Sequence, residues 1–187
     1  MTYGTLPPDR YPPVSKLLHW LVALCVLITL PVAIVMTRIG EGPLQDRLFV
    51  LHKSLGVLIL VLVVVRIVNR FVAGAPAPEP GLADWQRTVS SATHGLLYVL
   101  LLAMPLGAWL GMSYFGISTP FFGLFDLPPL PVAKNEHLSE QIFAVHRWAG
   151  YLLAVLALMH IGAALQHFFI LRDGVLQRML PRALGGR

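Results

Sequence analysis

"VHRWAGYLLAVLALMHIGAALQHFF", Val145 to Phe169, is apolar enough for a membrane interior, yet it carries His146, His160 and His167. About 20 apolar residues in a helix span a hydrocarbon core of about 30 Å. The 14 residues from His146 to His160 bring a helix back to within about 40° of the same face and advance it about 21 Å. The two imidazoles therefore share a face near opposite membrane surfaces. They cannot ligate one ion together. They can serve two sites stacked across the membrane.

The rest of the chain fits that frame. Of 187 residues, 56% are hydrophobic and 12% charged, about half the charged share of a soluble domain. Apolar segments run over Leu17–Met36, Phe49–Val65 with a tail to Val72, Gly95–Met112 and Trp148–Ile170. They predict an all-α, integral membrane four-helix bundle with helices at about 15–37, 48–72, 90–112 and 140–170. A Pro-rich tail (1–13) precedes the bundle (14–172), and a basic tail (173–187) follows it. The first segment is long, holds His19 and lacks a small-residue cleavage site, so it reads as a membrane helix rather than a signal peptide. Cys25 is the one cysteine, which excludes an internal disulfide.

Lys and Arg set the orientation. Nine (Arg10, Lys16, Arg66, Arg70, Arg87, Arg172, Arg178, Arg182, Arg187) fall on the side of the termini and the 2–3 connection, and five (Arg38, Arg47, Lys53, Lys134, Arg147) on the other. Both termini are expected in the cytoplasm, with the chain multi-pass in its membrane. The basic C-terminus suits anionic lipid, and no basic domain exists to carry nucleic acid. The 2–3 connection contains the Pro-rich linker Ala73–Trp85, and the 3–4 connection, Ser113–Gln141, is long and aromatic. A loop of that length is expected to cover something. Trp20, Trp85, Trp109, Tyr114 and Trp148 stand where interface anchors stand.

Ionisable groups inside a membrane face the bundle interior and mark function. His52 opens the second helix on the outer side, level with His146. His19 and His94 open the first and third helices on the inner side, level with His160. The helices thus offer an outer pair, His52 with His146, and an inner pair, His160 with either His19 or His94. Neutral imidazole is a common protein ligand of haem iron. Gly150, Ala157 and Ala164 lie near the His146 face, and Gly56 follows His52 by one turn. Such small residues leave room for a macrocycle or allow close helix packing. Arg66 and Arg70 fall near the His52 face at inner depth. They suit haem propionates through paired hydrogen bonds or cytoplasmic anchoring. Lys53 and Arg147 each follow a candidate ligand and suit outer propionates, an anionic substrate or simple interface charge. His94, His167 and Asn69 remain candidates for supporting, quinone-binding or plain polar roles. His137 reads as an ordinary loop histidine.

The stretches "LLHWLVALCVL" (Leu17–Leu27), "LHKSLGVLILVLVVVRIVNR" (Leu51–Arg70), "THGLLYVLLLAMPLGAW" (Thr93–Trp109) and "VHRWAGYLLAVLALMHIGAALQHFFILRDGVLQRMLP" (Val145–Pro181) resemble the bacterial cytochrome b561 family, four-helix di-haem membrane cytochromes. The resemblance covers most of the chain. It implies two haem b groups, His52 with His146 on the periplasmic one and His19 with His160 on the cytoplasmic one. It also implies an oxidoreductase that passes electrons from periplasmic superoxide to ubiquinone. Besides a weaker third, a transhydrogenase-like or ascorbate-linked reductase, two rivals stand beside this. One is a cytochrome b anchor subunit linking a partner dehydrogenase or hydrogenase to quinone. The other is a haem-free scaffold or transporter whose histidines bind metal.

Overall fold

A computed structural model describes residues 10–74, 76–77 and 81–180. The tail before Arg10, part of the Pro-rich linker and the last seven residues, with Arg182 and Arg187, lie outside the described residues. Four helices make the body: α1 (Pro13–Met36), α2 (Pro43–Ala73), α3 (Asp84–Phe115) and α4 (Glu136–Gln166), the last continued by one π-helical turn, His167–Leu171. All four are long and apolar enough to cross a membrane.

Helix starts follow local chemistry rather than the onset of apolarity. Pro13 and Pro43 stand in the first turns of α1 and α2, where the missing N–H costs nothing and φ is preset. α2 therefore begins five residues before the expected 48, through the polar stretch Gln45–Arg47. α3 opens at Asp84, where the Gln86 side chain accepts from the Ala83 N–H at 2.9 Å. α4 opens behind Asn135, whose side chain accepts from the Leu138 N–H at 3.0 Å.

α1 packs on α2, α2 on α3, and α3 on α4. The central seam joins Val22, Cys25 and Val26 of α1 to Leu55, Ile59 and Val63 of α2, with Tyr98, Leu101 and Leu102 of α3 against it. Leu17, Leu24, Val61, Phe71 and Leu158 point outward, the arrangement of a bundle whose solvent is lipid. α3 and α4 close tightly where a Cβ on Gly111 would stand 3.0 Å from the Phe143 ring. There the Ser139 hydroxyl donates to the Gly111 carbonyl at 2.7 Å.

The long 3–4 connection is not all irregular. It holds an antiparallel hairpin, β1 (Thr119–Phe121) with β2 (Phe125–Leu127), which the sequence reading did not anticipate. The hairpin rests on α2. Buried serines fix the connection to the helices. The Ser54 hydroxyl donates to the Val50 carbonyl (2.8 Å), stands 3.2 Å from the Pro120 carbonyl, and accepts from the Phe122 N–H (2.8 Å). Ser113 accepts from the Leu130 N–H at 2.9 Å. Phe122 has φ 51°, a left-handed backbone that costs a bulky residue about 1–2 kcal/mol. The bond to Ser54 offsets part of that cost.

The C-terminal segment is also more ordered than a basic tail. It returns along α1, where Lys16 Nζ donates to the Leu180 carbonyl (2.9 Å) and Trp20 Nε1 to the Met179 carbonyl (3.0 Å). Arg178 bonds the Ala77 carbonyl at 2.6 Å. The start of α1 and residues up to 180 thus meet at one end of the bundle, hereafter the termini end. The hairpin caps the other.

Replacing Ser54 with Ala leaves the Phe122 N–H unpaired, a loss of about 1–3 kcal/mol confined to the hairpin. Amide exchange across residues 116–130 should accelerate by roughly tenfold or more while α1–α4 keep their protection. Unchanged exchange in that segment contradicts the latch.

Candidate functional site

All seven histidines lie on the long helices or the π-turn, including His137, which the sequence reading put in a loop and which stands in the first turn of α4, and four form two facing pairs. At the hairpin end His52 of α2 faces His146 of α4, ring centroids 6.2 Å apart and planes at 76°. At the termini end His160 of α4 faces His19 of α1 at 6.1 Å and 78°. His94 of α3 also approaches His160, at 5.1 Å and 82°. The 14-residue spacing on α4 therefore does what helix geometry requires: it serves one cluster near each end.

The ring nitrogens are not equivalent. His146 Nδ1 lies 3.2 Å from the Met104 carbonyl of α3. A carbonyl only accepts, so Nδ1 carries the proton there and Nε2 is left as the lone-pair nitrogen. His94 Nδ1 lies 2.6 Å from the Ser90 carbonyl, one turn back on its own helix. His52 Nδ1 is buried without a partner at hydrogen-bond geometry, although the Thr29 backbone is near enough to act on it. His19, His52, His146 and His160 are half-buried, whereas His94 is exposed on the helix surface.

The charged candidates separate. Arg66 is committed within the protein: its Nε donates to the Tyr98 hydroxyl at 2.9 Å and its Nη1 to the Ser15 carbonyl at 2.8 Å. One guanidinium thereby ties α2 to α1 and α3 just below the termini-end cluster. Asn69 joins it, donating to the Ser15 hydroxyl at 2.7 Å. Arg70 is exposed and lines a shallow groove with Ile67, Phe71 and Tyr98. Lys53 is half-buried beside His52, and Arg147 is exposed. Neither enters an ion pair among the described residues.

His167 lies apart from both clusters, hydrogen-bonded through Nδ1 to the Asp173 carboxylate beyond the π-turn. His137 contacts Gln141 on the exposed start of α4. The sequence reading missed Tyr98 and Ser15 as the partners of Arg66, the Met104 carbonyl as the partner of His146, and Asp173 as the partner of His167. Only Tyr98 carried a usable signal, since its position on α3 puts it near the depth of Arg66.

Paired imidazoles suit an ion that brings its other ligands with it. Among the described residues no group of three or more His, Cys, Asp or Glu side chains is placed to hold a bare metal ion. Haem iron needs only axial donors, because the porphyrin fills its plane. The donor chemistry of two facing neutral imidazoles therefore fits a b-type haem.

A bundle of four membrane-crossing helices with facing histidines at both ends defines a multi-pass membrane protein built for a redox cofactor. The chain belongs to the prokaryotic cytochrome b561 family, whose model matches residues 10–182. It is 32% identical over 181 residues to "Cytochrome b561 homolog 2" of Escherichia coli (strain K12), covering 96% of this chain and 95% of that protein. It is 28% identical over 168 residues to "Probable superoxide oxidase CybB" of Yersinia pestis, covering 90% and 94% respectively. It is 32% identical over 171 residues to "Cytochrome b562" of Cereibacter sphaeroides, covering 88% and 92%. Membership makes the protein a membrane cytochrome with an electron-transfer role and implies b-type haem.

Arg66→Gln should lower the unfolding temperature in detergent, since each hydrogen bond from a charged group contributes about 1.5–3 kcal/mol. Arg66→Lys should recover little of it, because an ammonium cannot reproduce the two-armed guanidinium geometry. Full rescue by Lys contradicts the clamp.

Proposed function

We propose that the protein is a di-haem oxidoreductase that takes electrons from a small periplasmic donor, superoxide, and delivers them to ubiquinone in the membrane. In this reading His52 and His146 would hold one haem iron at the hairpin end, which would face the periplasm. His19 and His160 would hold the other at the termini end, which would face the cytoplasm.

The ring separations carry the assignment. A metal bonded at about 2.0 Å to one nitrogen of each of two opposed imidazoles holds the ring centres roughly 6.2 Å apart, since each nitrogen lies about 1.1 Å from its ring centre. The His52–His146 and His19–His160 pairs, at 6.2 and 6.1 Å, match that figure. The His94–His160 distance, 5.1 Å, is about 1 Å too short for an iron between opposed rings. This favours His19 over His94, a choice that helix spacing alone leaves open. His94 is then a neighbour of the site, held by Ser90.

Haem supplies reversible one-electron chemistry, and two protein ligands per iron close its coordination sphere. The protein's own groups hold and shield. His146 is oriented by the Met104 carbonyl. Arg66 locks three helices around the termini-end ligands. Arg70, free of the internal clamp, is the better placed of the two arginines for a propionate. The hairpin, latched through Ser54 two residues from His52, covers the periplasmic end and suits a small donor better than a docked protein. Lys53 and Arg147 supply positive charge there for an anionic donor. Superoxide as donor draws support from the name of the Yersinia pestis relative, a probable superoxide oxidase. On the cytoplasmic side, His167 and Asp173 form a hydrogen-bonded pair suited to moving a proton to a reduced quinone.

A second reading makes the chain an anchor subunit for a partner redox protein. Exposed Ile117, Leu124 and Phe125 on and beside the hairpin are the observation in its favour.

Alanine at His52 or at His146 should abolish the same haem signal, and alanine at His19 or at His160 the other, while His94→Ala keeps both. Loss of a haem in His94→Ala, with both retained in His19→Ala, overturns the inner pairing. Stopped-flow mixing of the purified protein with superoxide and a soluble ubiquinone should show haem reduction followed by reoxidation. No reduction by superoxide, together with stoichiometric copurification of a dehydrogenase, favours the anchor reading.

A further inference from the structure

The two histidine pairs differ in how their rings are held, and the difference has a direction. His146 Nδ1 bonds a main-chain carbonyl of a different helix. His19 and His160 make no side-chain hydrogen bond among the described residues; their recorded partners are other rings. The carbonyl that reaches His146 belongs to Met104, directly before Pro105, the proline inside α3. A proline inside a helix removes one hydrogen bond and bends the helix where it stands. A carbonyl oxygen has two lone pairs, so that of Met104 can accept from His146 in addition to any helical donor. Gly150, one turn beyond His146, lets the Met104 side chain lie against α4, its Cε 3.8 Å from where a Cβ would be.

Resting on the ligand assignment made above, we propose that the Met104 carbonyl, presented at the Pro105 bend, is a positioning group that makes the periplasmic haem the weaker electron acceptor of the two. A ligand imidazole that donates its other N–H to an acceptor becomes a more basic ligand. A more basic ligand favours the ferric over the ferrous state. Charge acts in the same direction at the other end. Arg66 stands near enough to act electrostatically on His19, His94 and His160, and Arg70 acts on His94. Positive charge favours the state that has gained an electron. At the hairpin end Lys53 acts on His52, while the exposed Arg147 is not among the groups acting on His146, so one acting cation stands against two. The electron given up by the donor thus meets the weaker acceptor first, and its transfer inward is downhill.

The test is a spectroelectrochemical titration of the haem-loaded protein. In wild type, two one-electron components are expected. The component missing from His52→Ala should be the one of lower midpoint. If the higher component is missing instead, the proposal is overturned. Pro105→Ala restores an N–H, straightens α3 and withdraws the carbonyl. It should ease reduction of the lower component about tenfold, about 59 mV for one electron, and leave the higher one in place. Both haems retained with neither midpoint moved, or both moved equally, overturns it. Where Pro105→Ala loses a haem, the wild-type assignment through His52→Ala decides alone. A wild-type protein without haem sinks the ligand assignment beneath the proposal, an outcome distinct from all of these.

Discussion

A neutral imidazole in an apolar bundle has two nitrogens to satisfy, one by donating and one by accepting, and lipid offers partners for neither. The arrangement gathers four such imidazoles into two facing pairs, and at His146 a main-chain carbonyl meets one half of the demand. One helix, α4, brings two imidazoles to one face at two depths because 14 residues is close to a whole number of turns. The other helices each bring what α4 lacks: α2 gives His52 toward the hairpin end, α1 gives His19 toward the termini end, and α3 gives a backbone carbonyl. Donation of Nδ1–H to that carbonyl leaves Nε2 of His146 with its lone pair free to bind a metal. Gly111 faces the Phe143 ring of α4, and Gly150 faces the Met104 side chain of α3.

The two ends of the bundle are built by different means. At the hairpin end, hydroxyls do the joining: Ser54, Ser113 and Ser139 are all nearly or fully buried, and each ties a helix to a backbone group elsewhere. This secures a cover at the His52–His146 end through neutral hydroxyls rather than through ion pairs. At the termini end, cations do the joining. Arg66, Lys16 and Arg178 each donate to main-chain carbonyls, so positive charge binds the helices and the C-terminal segment together. Arg66 illustrates how a residue suited by sequence to a propionate can be taken up by the fold instead.

Much of the helical framework was legible because membrane spans advertise themselves by apolar length, and the depth of each histidine follows from 1.5 Å per residue. Helix starts were less legible. α2 begins at Pro43 through polar residues that hydropathy reads as loop, and α3 begins at Asp84 just beyond a run of prolines. The hairpin was invisible because its strands are three residues long and contain Pro120. The return of residues 173–180 along α1 depends on carbonyl acceptors, which no side-chain pattern records. The choice between His19 and His94 was open for a related reason. Both sit near the inner starts of their helices, and only the distance between rings, 6.1 against 5.1 Å, separates a pair able to span an iron from a close neighbour.

The central claim is that four imidazoles grip two irons, one pair near each membrane surface. The most direct measurement is the ratio of haem b to polypeptide in the purified protein, from the pyridine haemochrome spectrum and quantitative amino-acid analysis. The account predicts two haems per chain, both low-spin in the oxidised state. One haem per chain, or none, contradicts it.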